Sequence, residues 1–254
     1  MPDNGEINLA QLILNYATPN NNILSKTKYF LKDFGKSAVN ERTKGACGYT
    51  PLISAVITNR PLELVDFLLE NQANPNKVDL LGCSALHYCI GMQRDKIHDR
   101  LIGLKETNLD LKSFYGKTPL YKAITTKNYA MFKSLLEHKA SLYAQDHDLN
   151  TALHHSVSYQ NFDMVKLILD KNTNFNSRNK HGCTPMHIAV EYKNTQLIKM
   201  MLESKKFDIK IKNNDGHTPI HLALELGYQD ITKLLLGAIK ENNLDEGDII
   251  SEVI

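Results

Sequence analysis

Six segments of this chain align on one pattern, and that repeat limits its possible folds more than any other feature. They are Gly48-Tyr-Thr-Pro-Leu-Ile-Ser-Ala55, Gly82-Cys-Ser-Ala-Leu-His-Tyr-Cys89, Gly116-Lys-Thr-Pro-Leu-Tyr-Lys-Ala123, Leu149-Asn-Thr-Ala-Leu-His-His-Ser156, Gly182-Cys-Thr-Pro-Met-His-Ile-Ala189 and Gly216-His-Thr-Pro-Ile-His-Leu-Ala223. Their Thr or Ser residues stand at 50, 84, 118, 151, 184 and 218, giving periods of 34, 34, 33, 33 and 34. Six copies in register exclude chance. A unit of this length cannot bury an apolar face alone, so neighbours must stack to make a continuous core.

Each part of the pattern has a mechanical reason. The glycine before the Thr-Pro pair can take a positive φ in a tight turn. Thr50, Ser84, Thr118, Thr151, Thr184 and Thr218 are placed to cap the following helix. Pro51, Pro119, Pro185 and Pro219 then occupy the first helical position, where a missing N–H costs nothing. Ala85 and Ala152 stand in for proline in two copies. A short turn carrying Asn128, Asn161, Asn194 or Gly227 leads into a second helix. Aliphatic residues recur there at helical spacing, as in Leu64, Val65 and Leu68 or Leu197, Ile198 and Met201. Leu135 and Leu167 are expected in second-helix cores.

A period near 33 carrying T-P-L-H-x-A resembles the ankyrin repeat. The resemblance covers residues 45–238, some three-quarters of the chain. It implies an all-α repeat fold, an ankyrin solenoid of helix-turn-helix units joined by β-hairpin-like loops. It also implies that His87, His154, His187 and His221, which share one repeat position, hydrogen-bond the backbone of a neighbouring turn.

The ends lack the motif. Residues 1–44 hold two helical patterns, Ile7–Tyr16 and Ile23–Phe34, and are expected to form a degenerate capping repeat. Residues 239–254 form an acidic tail punctuated by Ile249, Ile250, Val253 and Ile254, which either closes the last repeat or hangs free. In the second repeat Gly103 takes an aliphatic position, which reads as an early helix end or a functional irregularity.

Composition removes most other classes. With 42% hydrophobic and 23% charged residues the chain is too apolar for wholesale disorder. A net charge of +2 gives no field that would predict nucleic-acid binding. No apolar run reaches the roughly 18 residues of a membrane span, and Met1 to Tyr16 lacks the plan of a signal peptide. Cys47, Cys83, Cys89 and Cys183 form no C-x-x-C pair and read as reduced thiols. Phosphate-cradling loops, nucleophile elbows and zinc-peptidase motifs are missing, and the flanks are too short for a catalytic domain, so no enzyme and no cofactor are expected. His181, Cys183 and His187 lie close in sequence, but no fourth ligand has suitable spacing and no metal is expected. Lys199, Lys205, Lys206, Lys210 and Lys212 form the densest basic stretch, a solvated face or a phosphate patch.

Function then rests on the surface. In ankyrin-like stacks the variable positions are the loop tips and the exposed side of the first helix, which line a concave groove. Here the tips read Ala46-Cys47, Leu80-Leu81, Phe114-Tyr115, His147-Asp148, Lys180-His181 and Asn214-Asp215. Most are polar, but Leu80, Leu81, Phe114 and Tyr115 are not, and with Tyr49 and Met92 they form a candidate patch for a protein partner. The alternative is that they tuck between neighbouring hairpins. His147, Tyr159, His181, Tyr192 and His217 are expected to add rim contacts and specificity. The expected molecule is a cytoplasmic monomer that binds a protein, with no nucleic acid and no membrane span. Twenty-four Asn and 25 Lys against 5 Arg and no Trp reflect AT-rich codons. With the acidic, aliphatic end, that composition resembles effectors that intracellular bacteria such as Legionella deliver into host cells by type IV secretion. An endogenous regulator of the ankyrin inhibitor type is the other reading.

Overall fold

The computed structural model describes residues 8–15, 22–171 and 173–241. Among them are fourteen α-helices, one 3-10 turn and no strand, grouped into two compact units, Met1–Ser141 and Leu142–Ile254.

The first unit contains α1 (Leu9–Asn15), α2 (Ile23–Phe34), a 3-10 turn (Lys36–Asn40), α3 (Pro51–Ile57), α4 (Leu62–Glu70), α5 (Ala85–Gly91), α6 (Asp95–Ile102), α7 (Pro119–Thr125) and α8 (Tyr129–Glu137). Helices α1, α3, α5 and α7 pack in one row, and α2, α4, α6 and α8 in a second. The second unit contains α9 (Ala152–Ser158), α10 (Phe162–Leu169), α11 (Pro185–Glu191), α12 (Thr195–Glu203), α13 (Pro219–Glu225) and α14 (Gln229–Glu241). There α9, α11 and α13 make the first row, with α10, α12 and α14 behind them.

Helices of seven to nine residues are unstable alone in water, so packing must hold them. Leu52, Ile53, Leu64, Val65 and Leu68 are almost wholly removed from solvent. Each aliphatic side chain so buried contributes about 1.5–3 kcal/mol. The motif residues start the helices as expected. Thr50 Oγ1 accepts from the Ile53 N–H at 3.2 Å, and Thr118 Oγ1 from the Tyr121 N–H at 3.4 Å. In the turn before each cap, Gly48, Gly82, Gly116, Gly182 and Gly216 take φ between 62° and 84°. At Gly82 a Cβ would also meet the Phe114 backbone nitrogen at 2.7 Å, so both conformation and space require glycine. The fourth repeat places Leu149 in this position at φ 61°.

The structure corrects the sequence reading at four points. Gly227 does not share a position with Asn194: it takes the left-handed site held by Asn59, Gln93, Lys127, Gln160 and Lys193 in the other repeats. Asn128 and Asn194 follow that site and cap the second helix, accepting from the Met131 and Leu197 N–H groups, each at 3.0 Å. Leu167 is only partly buried, because one step along α10 from Ile168 turns it towards the flank. Helix α14 runs through Gly237 to Glu241 and buries Ile239, so the boundary at 238 falls inside a helix. The remaining acidic tail, with Ile249, Ile250, Val253 and Ile254, lies outside the described residues.

Helix α6 ends at Ile102, with Gly103 as its C-cap at φ −72°, in agreement with an early helix end. At the N-terminus α1 packs on α3 and α2 on α4, the places a preceding repeat would fill. Arg60 Nη2 donates to the Ile13 carbonyl at 2.7 Å and so satisfies the end of α1.

Candidate protein-interaction surface

Each tip is closed by short-range backbone bonds instead of a strand ladder. The Asp79 N–H donates to the Cys83 carbonyl at 3.0 Å, and the Asn179 N–H to the Cys183 carbonyl at 2.9 Å. The side chain five residues before the cap holds the turn from inside. Asp79 Oδ1 accepts from the Leu81 and Cys83 N–H groups, each at 2.8 Å, and Asp146, Asn179 and Asn213 do the same in their repeats. Sequence reasoning passed over this position, although an Asp or Asn recurs there at the repeat period.

A second pattern follows from the chemistry of that acceptor. A carboxylate has lone pairs beyond the two these N–H groups use, and when buried it needs another donor. Where the residue is aspartate, the fourth position after the cap supplies one. The Tyr88 hydroxyl donates to Asp79 Oδ2 at 2.6 Å, and His155 Nε2 lies 2.8 Å from Asp146 Oδ2. Where it is asparagine, that position carries Ile188 or Leu222. Burial raises the Asp146 pKa, but its hydrogen bonds with Asn150 and His155 and the His155 charge outweigh this and leave it below the ordinary value. Burial and the bond to Asp79 push the Tyr88 phenol well up.

The shared histidines tie neighbouring repeats together. His154 Nδ1 accepts from the Thr151 N–H at 3.2 Å, and Nε2–H donates to the Cys183 carbonyl at 3.1 Å. His87 reaches the Lys117 carbonyl and His187 the His217 carbonyl in the same way, at 3.1 and 2.9 Å. Burial, the largest influence, lowers all three pKa values, that of His154 to about 4. A neutral ring is required, since both nitrogens are already committed. His221 sits against its own cap, with Nδ1 2.6 Å from Thr218 Oγ1, and stacks beside His217.

Backbone bonds also join the tips. The Leu80 N–H donates to the Cys47 carbonyl at 3.0 Å, and the Phe114 N–H to the Leu81 carbonyl at 2.7 Å. In the second unit Lys180 pairs with Asp148 and Asn214 with His181. The tips therefore hold their side chains on a fixed backbone.

Those side chains differ between the units. Leu80, Leu81, Phe114 and Tyr115 are 55%, 48%, 70% and 62% exposed. Leu80 leans over Gly48, and the Phe114 and Tyr115 rings meet edge to face with centroids 6.0 Å apart. Met92 is exposed too, but as the C-cap of α5 it stands at the opposite end of that helix from the Leu80-Leu81 tip. Tyr49 is half-buried and packs edge-on against Tyr88 at 5.7 Å. In the second unit His147, Tyr159, His181 and Tyr192 are exposed, while His217 is half-buried with Nδ1 3.2 Å from Glu225 Oε2.

Chemistry elsewhere is quiet. Burial raises the Cys83, Cys89 and Cys183 thiols, which disfavours the nucleophilic thiolate. Among the described residues no group of three or more His, Cys, Asp or Glu side chains could hold a metal ion. Lys206 of the basic stretch donates to the Leu169 carbonyl and lies over the Phe175 ring at 5.0 Å. Among the described residues no helix is long and apolar enough to cross a membrane.

Capped helix pairs joined by histidine and tip bonds, with tip side chains that change from repeat to repeat, define a stacked-repeat interaction scaffold. A family model described as ankyrin repeats (3 copies) matches residues 14–112, 95–179 and 171–246, and the chain belongs to that family. It is similar to a putative ankyrin repeat protein of Rickettsia felis, 30% identical over 133 residues, covering 50% of this chain and 43% of the relative. It is also similar to mouse Rabankyrin-5, 32% identical over 71 residues, covering 28% of this chain and 6% of the relative. The chain thus spans less than half the length of these curated relatives. Among solved structures, the ankyrin repeat domain of Bcl-3 superposes with a TM-score of 0.73 at 24% identity, covering 87% of this chain and 95% of that one.

Proposed function

We propose that this chain is a non-enzymatic scaffold that binds a protein partner through its concave ankyrin face. Leu80, Leu81, Phe114 and Tyr115 form the energetic centre of that contact. One observation carries the reading: large apolar side chains stand in water on tips whose backbone is already fixed. A contact there loses little chain entropy on binding, and interfaces concentrate their energy in a few such residues. The tips of the second unit, among them His147 and His181, are polar and offer no such apolar centre. The partner is a host protein and the chain a translocated bacterial effector. The AT-rich composition and the resemblance to the Rickettsia felis protein support that setting.

Affinity purification from host-cell lysate, with the wild-type chain beside the Leu81→Ser/Phe114→Ser variant, tests the binding face. Proteins retained by the wild type and lost with the variant are expected. An identical set on both baits would move the contact to another face. A reporter fused to the chain and expressed in a bacterium with a type IV system should reach the host cytoplasm. Failure to reach it would return the chain to the class of endogenous regulators.

A further inference from the structure

The unit that carries the apolar tips also carries an ammonium that lacks a counter-ion. Lys122, in the last turn of α7, is exposed and has no ion-pair partner among the described residues. Its chain lies across the end of α5, where a Cβ added to Gly91 would meet Lys122 Cε at 2.7 Å. The missing side chain at Gly91 thus makes room for the lysine, next to the exposed Met92. Its charge is felt at Cys83 and His87, two and six residues beyond Leu81. A second ammonium, that of Lys117, stands over the Tyr121 ring at 4.4 Å, two residues from Tyr115.

No exposed carboxylate opposes them at the variable positions of the first unit. The tips carry Ala46-Cys47, Leu80-Leu81 and Phe114-Tyr115, and the ends of the first helices carry Ile57-Thr58, Gly91-Met92 and Thr125-Thr126. Asp79, the one acid beneath them, is 2% exposed and bonded to two N–H groups and the Tyr88 hydroxyl. The corresponding positions of the second unit carry Asp148, Asp215, Glu191 and Glu225. The first unit alone therefore combines an apolar patch with unbalanced positive charge.

We propose that this face takes an extended segment of a partner protein in which large apolar residues are interleaved with Asp or Glu, the apolar side chains seating on Leu80, Leu81, Phe114 and Tyr115 and a carboxylate meeting Lys122. The proposal rests on the partner-binding reading above and specifies the partner's chemistry. An acidic residue is selected because burying Lys122 beneath an apolar ligand would strip its hydration without return. Steering by opposite charge also speeds encounter and makes it salt-sensitive.

The full-length chain is used to select binders from a random-peptide phage library. One enriched peptide is then synthesised and its binding measured by fluorescence anisotropy against the wild type, Leu81→Ser/Phe114→Ser and Lys122→Glu. Enriched peptides should combine aromatic or aliphatic residues with Asp or Glu. Lys122→Glu should weaken the peptide by about tenfold or more, as loss and reversal of one partly desolvated charge pair implies. A fresh selection on Lys122→Glu should shift the enriched residues towards Lys and Arg. If Leu81→Ser/Phe114→Ser abolishes binding but Lys122→Glu does not change it, the face stands and the acidic partner is overturned. If the serine variant binds as well as the wild type, the face itself is wrong. Failure to enrich any peptide, or a dimer in sedimentation that only the serine variant abolishes, would likewise overturn the proposal.

Discussion

The two units share one skeleton and present different surfaces. Both use left-handed turns before the caps, an Asp or Asn inside the tip, and histidine bridges from one repeat to the next. The first unit shows Leu80, Leu81, Phe114 and Tyr115 at its tips, whereas the second shows His147-Asp148, Lys180-His181 and Asn214-Asp215. The skeleton cannot account for this difference, because the backbone bonds of the tips are the same whatever side chain they carry. Function is therefore read from the side chains that the stack leaves free.

The largest effect expected concerns how the first unit begins. We propose that α1 and α2 act as its cap. Removing residues 1–44 should expose the apolar faces of α3 and α4 and produce aggregation in size-exclusion chromatography. A truncated chain that stays monomeric with an unchanged melting curve would deny them that role.

Core substitutions separate two leucines that the sequence treats alike. Leu135→Ala, in the first unit, should cost about 2–5 kcal/mol in denaturant unfolding. Leu167→Ala, in the second, should cost about 1 kcal/mol, because its side chain is already partly wet. Equal costs would contradict the placement of Leu167 on the flank of α10.

Acid should damage the second unit more. Its His154 and His187 are held neutral by burial and paired carbonyls, while the first unit has only His87 in this role. A histidine depressed from 6.5 to about 4 binds fewer protons folded than unfolded, so its contribution is complete above the unfolded value. It is lost as pH falls through the folded one, with His154 alone costing roughly 2 kcal/mol by pH 5. The lowered Asp146 adds to the loss nearer its own range. Hydrogen exchange at pH 7 and pH 5 should show protection falling more around α9 and α11 than around α5. A uniform fall would remove the histidine bridges as the cause.

The smallest expected effect is a gain. The first unit uses glycine at all three of its turns before the caps, but Leu149 in the second has φ 61°, which costs an L-residue roughly 1–2 kcal/mol. Leu149→Gly should raise stability by about 1 kcal/mol once the flexibility of glycine in the unfolded chain is deducted.

Much of the fold was legible because the repeat restates its mechanical instructions: a capping hydroxyl in all six copies, a turn glycine in five and a first-turn proline in four. The six aligned copies even isolate the tips as the positions the stack leaves unspecified. What escaped was detail that averaging over the copies hides. The Asn128 and Gly227 positions differ by one residue, which changes a helix cap into a left-handed turn. The Asp79–Tyr88 and Asp146–His155 pairs join residues nine apart across a turn, and only the folded turn brings their oxygen and donor atoms together. Lys122 reads as an ordinary helix-end lysine until Gly91 is seen to leave it space. Leu80 lay between two readings, packing or recognition. It rests on Gly48 and still keeps over half its surface in water.

Thermal unfolding of Leu81→Ser/Phe114→Ser, run beside Leu135→Ala, tests most directly whether these tips are surface for a partner or part of the stack. Both side chains already stand about half or more in water, and their tip bonds use backbone atoms that serine keeps. The double variant should melt within about 2 °C of the wild type, as surface changes do, while Leu135→Ala falls by several degrees. A loss of stability in the double variant comparable to that of Leu135→Ala would show that the apolar tips are packing, and would contradict their assignment to a partner.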